Sequence, residues 1–220
     1  MPHTSLTIVC LPQGTHTGQL TSTAMARLAA TPLTGRGTAA HFIPGTRLRR
    51  ASLLQVRKNT AAGGPVHLLD LDAIRAAVQR LYWHRWIIWN QVVAGTRPAQ
   101  PYWTFVERHR ADPVRYPIET AQRRFLAQPR VATMLTYNAL PNKIMELPSS
   151  HLEAFQTGGH GYAHYGWLCA VPADGMLCLD DSYLTAARGE FAARMAYLAE
   201  ANRRIARLND RDILVALYTR

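Results

Sequence analysis

The clearest helical pattern of apolar residues in the chain runs from Asp70 to Val93 and predicts one long helix. Apolar side chains recur there at three- and four-residue spacing: Leu71, Ile74, Val78, Leu81, Trp89 and Val93. Three tryptophans, Trp83, Trp86 and Trp89, lie on the same segment. A tryptophan stripe at helical spacing indicates packing in a core more than a platform for stacking bases.

Short β-type runs lie on both sides of this helix. The first is Ser5–Leu11, which Pro12 and Gly14 end. Later runs cover residues 131–137, 144–147, 166–171 and 176–179, and a predicted hairpin turn over 172–175 joins the last two. From Asp181 to about Asn209, apolar residues at seven-residue spacing predict a long C-terminal helix. These patterns together predict an α+β fold.

Positive charge dominates the composition. The chain has 25 Lys+Arg against 14 Asp+Glu, a formal net charge of +11. Nearly all of the cations are arginine, because Lys58 and Lys143 are the only lysines. Arginine forks pair bidentately with phosphate and stack on bases. The charge balance therefore favours a nucleic-acid partner over an acidic or neutral one.

Membrane and secretory signals are missing from the sequence. No apolar run reaches the roughly 20 residues that a bilayer span requires, and the first residues lack the basic and apolar regions of a signal peptide. The three cysteines, Cys10, Cys169 and Cys178, include no CxxC pair and argue against a disulfide framework. We expect a cytoplasmic protein without a membrane partner.

Two segments carry the features that a nucleic-acid backbone requires. The first is predicted to form a helix over Thr46–Lys58, after Pro44 and Gly45, and follows a basic turn at Arg36. The second is a glycine-rich stretch, Thr157–Trp167, predicted to be a loop whose main-chain N–H groups approach phosphate. The predicted binding residues are Arg36, Arg47, Arg49, Arg50, Arg57, Lys58, Gly158, Gly159, His160, Gly161 and His164.

These two segments resemble the RAMP superfamily, the RNA-binding proteins of CRISPR antiviral defence. Gly45, Thr46, Leu48 and Arg49 match the family's helix-start motif, and Gly158, Gly159, Gly161 and Gly166 resemble its glycine-rich loop. His160, Tyr162 and His164 stand where the family usually has basic residues. Another departure is the long predicted helix after the last strand.

The resemblance implies a ferredoxin-like (RRM-like) core in an α+β domain over residues 1–180. A helical insertion at about 70–128 interrupts that domain, and residues 181–220 form a C-terminal helical extension. The implied function is that of an RNA-binding subunit in a guide-RNA ribonucleoprotein complex with other protein subunits. A metal-free guide-RNA endonuclease of the same superfamily is the alternative within the family.

Chemistry beyond binding stays open. His41 near Arg47 and Arg49 is the best candidate for a base in metal-free RNA cleavage, although a loop histidine that only contacts solvent or phosphate explains it as well. Zinc is disfavoured because His160, His164, Cys169 and Cys178 lack knuckle spacing, so no metal or other cofactor is expected. Aspartates at 70, 72, 180 and 181 precede predicted helices and suit capping. A DNA-binding protein of a plasmid or phage and a helical scaffold protein remain alternatives.

Overall fold

A computed structural model of the chain describes residues 5–45, 50–187 and 189–220. In chain order the elements are β1 (Ser5–Leu11), α1 (Leu20–Leu28), β2 (Gly35–Thr38), β3 (Gly63–Pro65), α2 (Leu71–Val92), α3 (Tyr102–Ala111), α4 (Ile118–Leu126), α5 (Pro129–Asn138), α6 (Leu152–Gln156), α7 (Gly159–Cys169), β4 (Gly175–Leu177), β5 (Tyr183–Thr185), α8 (Phe191–Ala206) and β6 (Ile213–Thr219). The predicted α+β class is confirmed, as are β1 and the long helix α2.

The chain divides into two compact units. The sheet unit consists of residues 1–78, 167–188 and 192–220, and the helical unit of residues 79–166 and 189–191. The helical unit therefore extends well past the predicted end of the insertion at about residue 128. Within the described residues, no helix is both long and apolar enough to cross a membrane.

The sheet unit is built on a six-stranded mixed sheet in the order β2-β6-β1-β4-β5, with β3 also paired to β6. β1 pairs with β4 in parallel and with β6 antiparallel, in a register from Ser5↔Thr219 to Leu11↔Ile213. β6 thus lies between β1 and β2. The prediction that residues 181–220 form a helical extension is wrong on this point, because the segment supplies two strands and only a 16-residue helix.

Both faces of the sheet are buried at its centre. On one face, α1 packs through Leu20, Ala24 and Leu28 against a cluster that includes Val9 and Val215. On the other face, the side chains that alternate with these are equally buried: Ile8, Cys10, Met176, Leu214 and Ala216. A sheet covered on both faces leaves no open central surface on which bases could stack. A binding surface on this unit must therefore involve its edges and connections.

The helical unit has an aromatic core. The rings of Trp89 and Phe155 stack 5.0 Å apart, those of Phe155 and Tyr162 4.2 Å apart, and those of Tyr162 and Tyr82 4.8 Å apart. Offset stacks of this kind add to the gain from apolar burial. Trp89 of the tryptophan stripe is therefore a core residue as predicted, whereas Trp83 is only partly buried.

Three predicted β runs are not strands in the structure, and two of them are helical. Residues 131–137 lie in α5, because Pro129 starts a helix whose Val131 and Met134 are buried at helical spacing. Residues 144–147 lie outside the strands, and Asn138 fixes them by accepting from Leu147 N–H and donating to Leu147 C=O. Most of the run 166–171 belongs to α7, which ends at Cys169.

Candidate nucleic-acid interface

The segment after the first motif is a hairpin rather than the predicted helix. Arg47 and Arg49 lie outside the described residues, as does the side chain of Arg50, whose backbone begins a short 3₁₀ turn. Leu54 N–H donates to Gly63 C=O at 2.8 Å, and residues 57 and 60 exchange two backbone bonds of 2.9 Å. We call residues 54–63 the basic hairpin, because Arg57 and Lys58 are at its tip.

The base of the basic hairpin is fixed to the sheet by glycine. Gly63 pairs with Val215 of β6, and a Cβ on Gly63 would lie 2.9 Å from Val215 Cα and closer still to the Leu214 carbonyl oxygen. Gly64 has a φ of +153°, in the region that favours glycine. Larger residues at these positions would push the hairpin away from β6, so the sequence Gly63-Gly64 determines where the two cations at the tip lie.

Three exposed cations surround this region of the sheet edge: Arg36 on β2, with Arg57 and Lys58 on the hairpin. A side-chain bond of 2.5 Å from Thr38 Oγ1 to Gln55 Oε1 connects β2 to the hairpin. In the part of the chain that the structure describes, none of the three cations has a carboxylate within ion-pair distance. The region is therefore a concentration of uncompensated positive charge.

Several other arginines of the sheet unit have carboxylate partners. Arg27 pairs with Asp181 at 2.6 Å and also donates to backbone carbonyl groups, and Arg204 lies 2.7 Å from Asp180. Such pairs hold elements together and leave less charge for a ligand. β2 and the basic hairpin carry three exposed cations without a carboxylate partner among the described residues, and the Thr38–Gln55 bond connects the two elements, so they form the candidate interface.

Tyr218 adds an aromatic surface that the sequence analysis missed. It lies opposite Gly37 in the β2–β6 pairing, and 46% of its surface is exposed. Gly37 offers no side chain to cover the ring. Arg36 precedes Gly37, and Arg220 is held nearby by two backbone bonds of 3.0 Å to Thr34. The alternating run Ile213–Thr219 is the sequence signal that could have revealed this strand and its exposed tyrosine.

The predicted glycine-rich loop is wrong, because residues 159–169 form α7. The glycines serve close packing instead. A Cβ on Gly159 would lie 2.7 Å from Trp83 Cζ3, and one on Gly161 would lie 2.7 Å from Thr157 Cβ. Gly158 keeps a φ of +88° just before the helix. The two predicted binding histidines, His160 and His164, are exposed one turn apart on α7.

His41 lies in the sheet unit as a largely buried side chain. Its Nε2 is 3.3 Å from the carbonyl oxygen of Val171, and its ring packs edge-on against Phe42. Burial lowers the pKa of His41 below its ordinary value, which favours the neutral ring at pH 7. These contacts are those of a packed histidine. Among the described residues, no group of three His, Cys, Asp or Glu side chains is arranged to hold a metal ion.

Comparisons with protein-family models, with curated proteins and with solved structures found no match to this chain.

Proposed function

We propose that the protein binds single-stranded RNA at the sheet edge formed by β2, the basic hairpin and Tyr218. The observation that carries the proposal is a set of three exposed cations on two connected elements, Arg36, Arg57 and Lys58, which have no carboxylate partner among the described residues. Unpaired surface cations gain more from a phosphate ligand than cations that already have an ion pair, because no existing contact has to be broken.

The mixture of residue types at this edge suits a single strand. Arginine binds phosphate through two parallel N–H groups, and an exposed tyrosine provides a face on which an unpaired base can stack. Proteins of this kind combine backbone contacts through cations with stacking on aromatic rings. A partner chosen by charge alone would not require the ring of Tyr218.

We further propose that the protein is an RNA-binding subunit of a guide-RNA ribonucleoprotein complex of the CRISPR type. The resemblance of the first motif to the RAMP superfamily supports this step.

The test replaces the three cations of the sheet edge with alanine and measures RNA affinity over a range of salt concentrations. For a single strand, the slope of log affinity against log salt falls by about 0.7 for each lost phosphate contact. The matched control removes the same charge from the same unit at exposed sites near the end of α8: Arg203, Arg207 and Arg211.

The sheet-edge triple variant should bind RNA more weakly and with a flatter salt slope than wild type, whereas the control variant should keep the wild-type slope. Tyr218→Ala should weaken binding without changing the slope, because it removes stacking and no charge. RNA should also bind more tightly than single-stranded DNA of the same sequence if 2′-hydroxyl groups are recognised. Equal losses in the test and control variants would contradict the assignment.

A further inference from the structure

The helical unit contains an open groove of about 330 Å³ that the proposed function does not use. Its walls come from the end of α2, the segment after it, the start of α5 and the end of α6. Asn90, Arg130 and Gln156 supply polar atoms, and Trp86 supplies an aromatic surface. Its volume is within the range of small-ligand sites. We call it the Arg130 groove.

Arg130 has no carboxylate partner in this groove. Its Nη2 donates to Thr96 C=O at 2.7 Å, its Nε to Thr96 Oγ1 at 3.1 Å and its Nη1 to Gln156 Oε1 at 3.1 Å. All three acceptors are neutral. A guanidinium has five N–H donors, so two of them are left for a ligand. The guanidinium also lies 5.4 Å from the centre of the Trp89 ring.

The charge of Arg130 is only partly withdrawn from water. Desolvation lowers the pKa of Arg130, and no carboxylate of the described residues opposes this effect. The guanidinium stays protonated and can pair with an anion. An anion bound in the groove would supply the missing charge and accept from the two remaining N–H groups.

The groove is held open by its surroundings. Gln156 donates to Ala99 C=O at 3.0 Å and accepts from Ala99 N–H at 2.8 Å, which fixes the segment after α2. Gly95 and Gly158 line the groove with positive φ values, and the space where a side chain would stand is open at both. These contacts position Arg130 before a ligand arrives, so little ordering is required on binding.

The aromatic wall continues out of the groove. Trp86 donates from Nε1 to Phe155 C=O at 3.1 Å, which fixes the plane of its ring. Its ring stacks on Trp83 at 6.0 Å, and Trp83 lies 5.1 Å from the ring of His160. Trp83 and Trp86 are only partly buried, and His160 is exposed. The rings of Trp86, Trp83 and His160 therefore form a continuous row from the groove beside Arg130 to the exposed surface of α7.

We propose that the Arg130 groove binds one nucleotide of a single-stranded nucleic acid, with the phosphate on Arg130 and the base against Trp86. Stacking on an aromatic ring and a phosphate contact are the two interactions that such strands offer at every residue. An acidic peptide would supply the anion but no planar group for the indole. Residues 79–166 contain ten basic and five acidic side chains, which also favours a polyanion.

The test adds a carboxylate to the groove at Asn90, an exposed residue of α2 whose side chain makes no hydrogen bond to the rest of the described chain. Asn90→Glu places a competing anion beside Arg130 and should not disturb the fold, because Glu is a better helix former than Asn. Gln91→Glu is the matched control, since it adds the same charge at the next position, outside the groove. Asn90→Gln controls for side-chain length.

Binding of oligouridine, uridine monophosphate, inorganic phosphate and oligoglutamate is followed through the tryptophan fluorescence of the full chain. We expect oligouridine to bind wild type, and Asn90→Glu to weaken this binding roughly tenfold or more, which is the usual value of a charged hydrogen bond. Gln91→Glu and Asn90→Gln should stay close to wild type. Uridine monophosphate should bind more tightly than inorganic phosphate.

Equal affinities of Asn90→Glu and Gln91→Glu for oligouridine would overturn the proposal, as would binding of the monophosphate but not of the strand. Preference for oligoglutamate would assign the groove to an acidic peptide instead. The proposal for the groove does not depend on the sheet edge. If only the sheet-edge triple variant loses RNA binding, the groove proposal is contradicted and the proposed function is supported. If only Asn90→Glu loses RNA binding, the groove is the binding site and the sheet-edge assignment is contradicted.

Discussion

Gly166→Ala should destabilise the helical unit, although alanine is the better helix former. Gly166 is buried in α7, and an added Cβ would lie 2.7 Å from Tyr82 Cβ and 2.8 Å from Tyr82 Cδ1. Tyr82 cannot move aside easily, because its ring is stacked on Tyr162 and meets Tyr165 edge-on at 5.9 Å. The substitution therefore forces overpacking at the crossing of α2 and α7.

Two opposing contributions set the magnitude. Replacing glycine by alanine in a helix gains about 1 kcal/mol in intrinsic propensity, and overpacking in a well-packed core costs about 1–3 kcal/mol. Because the contacts at Gly166 are with the Cβ and ring atoms nearest the main chain, we expect the upper part of that cost. The free energy of unfolding should then fall by about 1–2 kcal/mol.

Urea unfolding followed by tryptophan fluorescence measures this effect, because Trp83, Trp86, Trp89 and Trp103 all belong to the helical unit. Gln91→Ala is the control, since it improves helix propensity at an exposed site without a steric change. A Gly166→Ala protein as stable as wild type, or more stable, would refute the packing argument for the glycines of α7.

Three other predictions concern the sheet unit. Hydrogen bonds from Ser182 and Arg204 lower the pKa of Asp180 to about 2. The stabilising contribution of Asp180 is therefore complete above about pH 4 and should be lost as the pH falls from about 4 to 2. Measured by unfolding at several pH values, Asp180→Asn should be less sensitive to acid than wild type. Burial raises the pKa of the Cys10 thiol to about 12. Iodoacetamide at pH 8 should therefore leave Cys10 unmodified in the native protein and alkylate it in urea, which mass spectrometry measures. Gly63→Ala should lower stability by about 1–3 kcal/mol because its Cβ meets the main chain of β6, and an unchanged melting temperature would contradict the described pairing.

Periodic segments were the most predictable part of the fold. α2 repeats apolar residues over its whole length, and β1 is a compact β-type run between turn residues, so local pattern and tertiary environment agree in both. The β-branched residues Val131, Thr133 and Thr136 favour a strand in the segment that forms α5. Its buried side at Val131 and Met134 shows that packing decided its conformation.

The candidate site was only partly predictable. The charge composition led to the prediction of cationic binding residues, and the structure exposes three of them: Arg36, Arg57 and Lys58. The sequence did not show that a hairpin carries two of these residues. Glycines are ambiguous, because the same residue suits a loop near phosphate and a close helix crossing. Only the positions of Trp83 and Tyr82 opposite Gly159 and Gly166 distinguish these cases.

The central position of β6 also has a consequence for synthesis of the chain. β6 pairs directly with β1, β2 and β3, and it follows all of them in the sequence. As the ribosome extends the chain from its N-terminus, β1 is synthesised about 200 residues before β6, its antiparallel partner strand. The sheet unit must therefore wait with exposed strands until β6 emerges, whereas the helical unit, whose contacts are closer in sequence, can form earlier. Conditions that slow translation should prolong an aggregation-prone stage of the sheet unit alone.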